Sequence, residues 1–162
     1  MRKVIVPGTF DPITFGHLEV IERASRLFDQ VVVGVALSEK KGSGPLFSID
    51  QRAELARQAV AHLDNVEVVS FSNLLVDFAR EIGAAAVVKG LRATTDFEYE
   101  FQMAALNYDL DSELETIFVT ASPHCTYISS SIVKELASMG GDVSGMVPAC
   151  VNDALMQRFE SR

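Results

Sequence analysis

The sequence predicts an α/β protein built on a parallel, doubly wound sheet. Three observations carry that prediction. Short apolar runs alternate with segments of helical periodicity along all 162 residues. Runs such as Val31 to Ala36 are almost continuously apolar, as in strands buried on both faces. The first run, Val4 to Val6, breaks at Pro7-Gly8 into a polar loop, and a helical segment opens at Thr14-Phe15-Gly16-His17. Strand, glycine turn and helix N-terminus, in that order, is how α/β proteins hold phosphate.

Each element follows in order. After the strand Val4 to Val6, Leu18, Ile21, Ala24 and Leu27 mark one helical face, with Val20 and Phe28 beside it. Glu19 and Glu22 lie near that helix's N-terminus, where the macrodipole favours them. Val31 to Ala36 is the second strand. Ser48 with Gln51 three residues on is a capping box, opening a helix that runs to about His62. Val66 to Val69 reads as the third strand and Leu74 to Ile82 as a helix. Ala84 to Val88 is the fourth strand, ending at Lys89, and Asp96 to about Leu110 is the next helix. Thr116 to Thr120 is the fifth strand, Ser129 to Met139 a helix, and a last helix covers about 148–160. Such alternation gives right-handed crossovers and a Rossmann-like five-stranded parallel sheet with flanking helices.

Composition bounds the partners. One domain over 1–162 is expected, 48% hydrophobic, without repeats or low-complexity stretches. A net charge of −8 argues against nucleic acid or an anionic membrane as partner. It leaves small anions open, because a ligand senses a local cluster rather than the sum. The first strand is too short to span a bilayer, and no signal-peptide apolar region follows Arg2-Lys3. Cys125 and Cys150 form no CxxC pair, so neither a zinc site nor a disulfide framework is expected. A reducing, cytoplasmic setting is the simpler expectation.

Ligands of such sheets bind beyond the carboxyl ends of the strands. Gly8-Thr9, Ser38 to Lys41, Ser72 to Leu75, Lys89 to Arg92 and Pro123 to Ser131 all follow strands. Lys40 and Lys41 sit in a glycine-containing loop, where most lysines are only solvated. Arg92 offers a planar fork of donors suited to phosphate oxygens. Glu98 and Glu100, two apart, do not share a helix face. Ser129, Ser130 and Ser131 supply helix-start hydroxyls and amides. His17 at a helix mouth adds a donor that can follow charge developing on a phosphate, and the helix dipole there should keep it neutral.

The string PGTFDPITFGH resembles the first signature of the nucleotidylyltransferase superfamily, His-x-Gly-His, with Thr14 replacing the first His. In this form it is similar to the phosphopantetheine adenylyltransferases. Lys89-Gly90-Leu91-Arg92, Asp96-Phe97-Glu98-Tyr99-Glu100, Ile128-Ser129-Ser130-Ser131 and Gly141-Asp142-Val143 match that family in order and spacing. The resemblance implies adenylyl transfer from ATP, with Mg²⁺, to 4′-phosphopantetheine, in a cytoplasmic homohexamer open to inhibition by product or coenzyme A. It implies catalytic roles for His17, Lys41 and Arg92. It implies ATP contacts at Thr9, Phe10, His17, Gly90, Leu91, Arg92, Glu100, Cys125, Thr126, Tyr127, Ile128, Ser129, Ser130 and Ser131. For the acceptor it implies Thr9, Lys41, Leu74, Leu75 and Lys89. Aligned from Ser38, Lys41 rather than Lys40 is the phosphate lysine, and Lys89 stands where many members carry Arg. Two other readings compete: a relative using CTP or nicotinamide mononucleotide, and a non-catalytic nucleotide-binding regulator on the same fold.

Overall fold

The computed structural model describes residues 1–37 and 44–160. Five strands form one parallel sheet: β1 (Lys3–Gly8), β2 (Gln30–Ala36), β3 (Val66–Phe71), β4 (Ala86–Leu91) and β5 (Glu115–Thr120). The order across the sheet is β3-β2-β1-β4-β5, so the chain winds outward in both directions from β1. The helices are α1 (Phe15–Leu27), α2 (Ile49–Ala59), α3 (Leu75–Glu81), α4 (Thr94–Leu110), α5 (Ser130–Ser138) and α6 (Ala149–Glu160). The expected α/β fold is the observed one.

β1 carries the centre. Val4, Val6, Val31, Val33 and Val88 face one apolar core shared with α1, α2, α5 and α6. Ile5 and Val87 face the other way, onto Val76, Phe78 and Ala79 of α3. Strands covered on both sides in this manner need continuous apolar runs, which is what the sequence has.

Several boundaries differ from the sequence reading. β1 continues through Pro7 and Gly8, which pair with Gly34 and Val35. β3 extends to Phe71, opposite Ala36. β4 is displaced toward the C-terminus, so Lys89 lies inside the strand opposite Phe118, and Gly90 and Leu91 also pair with β5. α2 stops at Ala59, and Ala61 and Leu63 donate to carbonyls three residues back, tightening the end into turns. Ser129 caps α5 rather than belonging to it. The buried face of α1 is Val20, Ile21 and Ala24, while Leu27 is exposed. Its glutamates serve neighbours rather than the dipole: Glu19 Oε2 accepts the Ser122 N–H at 3.2 Å, and Glu22 meets His62 at 2.9 Å.

Two backbone features shape the cleft described next. Phe10, buried, adopts φ 49°, a left-handed conformation uncommon outside glycine. Gly90 lets α1 lie against β4. A Cβ there would stand 2.7 Å from Val20 Cγ2. Gly90→Ala should therefore push α1 off the sheet and cost about 1–3 kcal/mol, read as a lower denaturant midpoint at unchanged slope. An unchanged midpoint would mean that this approach is slack.

Candidate active site

A cleft of about 330 Å³ opens where β1 and β4 lie side by side. This is the point at which strand order reverses, the usual ligand position in such sheets. Its walls include Gly8, Phe10, Thr14, Gly16 and His17 from the turn into α1, and Lys89 to Arg92 from β4 and its exit. Asp96 and Glu100 of α4 and Ile128 to Ser131 at the start of α5 complete them.

His17 is held by the helix start itself. Thr14 is the N-cap of α1, and its hydroxyl accepts the His17 backbone N–H at 3.4 Å. In return, His17 Nδ1 accepts the Thr14 N–H at 3.0 Å. This is a capping box with an imidazole in the place usually taken by Glu or Gln. An Nδ1 that accepts an N–H carries no proton, so the neutral ring bears its hydrogen on Nε2. Phe10 packs edge-on to the ring at 5.0 Å between centroids, fixing its plane. Burial, first, and then the positive charges of Arg92 and Lys89 lower the His17 pKa to about 4. The ring is neutral at pH 7. The cause differs from the one expected: desolvation and neighbouring cations dominate, where the sequence suggested the helix dipole.

Both cations are tethered to α4. Arg92 Nε and Nη2 reach the carboxylate of Asp96 at 3.1 and 3.3 Å, and Nη1 donates to the Ile128 carbonyl at 2.8 Å. Lys89 Nζ lies 3.2 Å from Glu100 Oε1. Each carboxylate holds its cation at the wall, and guanidinium N–H groups beyond those three bonds remain for a ligand. Ser129 Oγ caps α5 by accepting the Ile132 N–H at 3.2 Å, and Ser130 Oγ donates to the Pro12 carbonyl at 2.8 Å. Ser130 thus ties α5 to the turn after β1.

The structure brings together Phe10, His17, Lys89, Gly90, Leu91, Arg92, Glu100, Ile128, Ser129, Ser130 and Ser131. Other residues suggested by the sequence are not among the walls of this cleft. Thr9 is exposed, and its carbonyl accepts a bond from Arg52 at 2.7 Å. Leu74 is exposed ahead of α3, and Leu75 packs on the second core. Cys125 is buried in the main core, while Thr126 and Tyr127 are exposed, and none of these lines the cleft. Burial raises the thiol pKa of both Cys125 and Cys150, which keeps them protonated. Lys40 and Lys41 lie outside the described residues.

Sequence reading assigns no site role to Asp11, Thr14, Asp96, Arg52 or Lys134. The Thr-x-x-His spacing of a capping box was the available signal for Thr14. For Arg52 it was a charged residue on the stripe Arg52, Ala56, Ala59, which is buried throughout.

The His17 environment makes a testable statement. By NMR its imidazole should titrate near pH 4, with the Nε2–H tautomer above that. The unfolded chain binds this proton near pH 6.5. Stability from the neutral ring is therefore complete above about pH 6.5 and falls as the pH drops toward 4. Replacing His17 by Gln should remove that slope from denaturation curves. A midpoint near 6.5 would contradict the arrangement.

Comparison with known proteins agrees with this fold. A structure from Vibrio parahaemolyticus, provisionally named a nicotinate-nucleotide adenylyltransferase, superposes with TM-score 0.68 at 18% identity, covering 96% of this chain and 99% of that one. A lipopolysaccharide core biosynthesis protein from Thermoplasma volcanium superposes with TM-score 0.54 at 21% identity, covering 75% of this chain and 97% of that one. At these identities the likeness shows the fold. Residues 5–136 match the cytidylyltransferase-like family. The chain belongs to the cytidylyltransferase-like family and is a nucleotidyltransferase-type enzyme.

Proposed function

We propose that this enzyme transfers the adenylyl group of ATP to 4′-phosphopantetheine, giving 3′-dephospho-coenzyme A and pyrophosphate. One observation carries the chemistry: a neutral His17, two cations and a serine-lined helix start converge in one cleft. The motifs PGTFDPITFGH, Lys89-Gly90-Leu91-Arg92 and Ser129-Ser130-Ser131 favour this acceptor over nicotinate mononucleotide by their resemblance to phosphopantetheine adenylyltransferases.

The nucleophile is a phosphate oxygen, already anionic, so the reaction needs no general base. Its bond to the α-phosphorus forms as the bond to the pyrophosphate oxygen breaks, without a covalent enzyme intermediate. The barrier lies in bringing anions together and in charge that grows on the α-phosphate. His17 Nε2–H is the donor for that growing charge. A neutral ring suits this role, because it strengthens its bond as charge appears without first locking to the ground-state anion. Arg92 and the Ser129 to Ser131 helix start take the β,γ end. Lys41, Thr9 and Lys89 take the acceptor phosphate, with Leu74 and Leu75 toward its apolar arm. Glu100 serves the adenosine.

Mg²⁺ accompanies ATP as a counter-ion of its phosphates. No group of three or more His, Cys, Asp or Glu among the described residues could cage a metal. The cleft carboxylates, Asp96 and Glu100, are engaged with Arg92 and Lys89. On this reading the ion travels with the nucleotide's own phosphates.

The same reading covers all 162 residues as one catalytic domain, in a cytoplasmic homohexamer subject to inhibition by product or coenzyme A. No helix among the described residues is long and apolar enough to cross a membrane. The surface of α4 supports self-association. None of its 17 residues is buried, and Tyr99, Phe101, Leu106, Tyr108 and Leu110 are all more than half exposed. Leu106→Glu should lower the mass found by light scattering; an unchanged mass would exclude this face.

Three outcomes test the reaction. Pyrophosphate should be released from ATP only with 4′-phosphopantetheine present, in equal amount with dephospho-coenzyme A. Pantetheine, which lacks the nucleophile, should fail. Turnover with nicotinate mononucleotide in its place would transfer the reading to that acceptor. His17→Ala should lower kcat about a hundred- to thousand-fold while ATP affinity by calorimetry stays near wild type. Loss of ATP binding with unchanged kcat at saturation would make His17 a binding residue only.

A further inference from the structure

We infer that Arg52 is a positioning residue that sets the acceptor side of the cleft by bonding three chain segments at once. Arg52 lies on α2 and is 1% exposed, the largest fully buried side chain among the described residues. No carboxylate stands within ion-pair distance of it among them. Its guanidinium is satisfied by main-chain oxygens instead. Nε donates to the Phe47 carbonyl at 3.1 Å, and Nη1 donates to the Thr9 carbonyl at 2.7 Å and the Ala36 carbonyl at 2.8 Å. Burying a guanidinium in this way forfeits its hydration, a cost that an apolar side chain of similar volume would avoid. A filler role therefore does not account for it. What only a planar fork does here is reach carbonyls in divergent directions from one rigid group.

The three carbonyls have a common placing. Thr9 belongs to the loop after β1, Ala36 ends β2, and Phe47 leads into α2. Ala36 and Phe47 stand on either side of the segment holding Lys40 and Lys41. Asp11, also buried, grips the same junction from the other side. Its carboxylate accepts the Leu46 N–H at 2.8 Å and the Phe47 N–H at 2.9 Å, and Lys134 of α5 balances its charge at 2.9 Å. Phe47 is thus pinned through its N–H by Asp11 and through its C=O by Arg52. Arg52 and Asp11 fix where the Thr9 loop stands relative to the end of β2 and the segment Leu46-Phe47 that leads into α2. On the function proposed above, on which the kinetic part of this inference rests, Thr9 receives the acceptor phosphate. Arg52 touches neither substrate. It acts through the backbone that carries the residues which do.

The test uses Arg52→Lys, which keeps charge and most of the volume but not the fork. Amide hydrogen exchange should quicken about ten-fold or more at Phe10, Leu46 and Phe47, with the strands β1 and β4 as protected as in wild type. In the same protein, KM for 4′-phosphopantetheine should rise about ten-fold or more, with ATP affinity by calorimetry within about two-fold of wild type. In a Thr9→Ala background the same substitution should raise KM for the acceptor by less, since the two act along one route. Unchanged exchange, a uniform loss of protection, or equal weakening of both substrates would overturn the inference. Should Arg52→Lys fail to fold, Asp11→Asn must show the same local exchange and the same split between substrates, and its failure to do so counts equally against it. A wild-type enzyme that ignores 4′-phosphopantetheine would defeat the acceptor assignment, while the exchange result would still decide whether Arg52 and Asp11 hold the three segments.

Discussion

The cleft depends on a reciprocal pair of bonds between Thr14 and His17. The Thr14 hydroxyl receives the His17 N–H, and the His17 ring receives the Thr14 N–H. These bonds satisfy two amides that any helix start leaves unpaired. They also decide the tautomer of the imidazole. A structural requirement of α1, closing its first turn, thereby produces a chemical property: a neutral ring with its only hydrogen on Nε2. Gly90 allows α1 to approach β4, and Phe10, in its left-handed backbone conformation, stands against the ring. Each of these features places the donor rather than creating it.

The electrostatics are local. A chain with net charge −8 would repel a polyanion at long range, yet the cleft collects Lys89 and Arg92 beside a neutral His. Both cations are held by carboxylates four residues apart on α4, Asp96 and Glu100, which share a helix face. The pairs keep long, flexible side chains in place where they would otherwise be solvated in many conformers. The same cations disfavour a proton on His17. A cationic wall and a neutral histidine are thus one arrangement seen twice. On the other side of the turn, the buried Asp11 and Arg52 hold backbone in the same fashion, by charge-assisted bonds to main-chain groups.

Much of this was legible in the chain. Continuous apolar runs gave the parallel sheet, and the Pro7-Gly8 break with Gly16-His17 gave the helix mouth that lines the cleft. What the periodicity could not give was register. The apolar run ends at Val88, yet Lys89 lies within β4, because Gly90 and Leu91 continue the ladder to β5 despite the weak strand propensity of glycine. Leu27 fits the helical spacing and is exposed, since the core meets α1 along Val20, Ile21 and Ala24. Residues acting at long range were the least visible. Asp11 and Lys134 are far apart in sequence and 2.9 Å apart in space, and nothing local announces the pair. The cysteine-to-tyrosine stretch before Ile128 resembles a nucleotide-binding segment, but its side chains face the core or solvent rather than the cleft.

On the proposed function, the His17 Nε2–H meets charge on one non-bridging oxygen of the α-phosphate. The most direct measurement is the stereochemical effect of sulfur at that phosphorus. Turnover of the two diastereomers of ATP bearing sulfur on the α-phosphate is compared in wild type and in His17→Ala. Wild type should prefer one diastereomer by roughly ten-fold or more, and His17→Ala should lose most of that preference, because the donor that distinguishes the two oxygens is gone. An equal preference in both proteins would contradict the claim and place the discriminating contact on another residue.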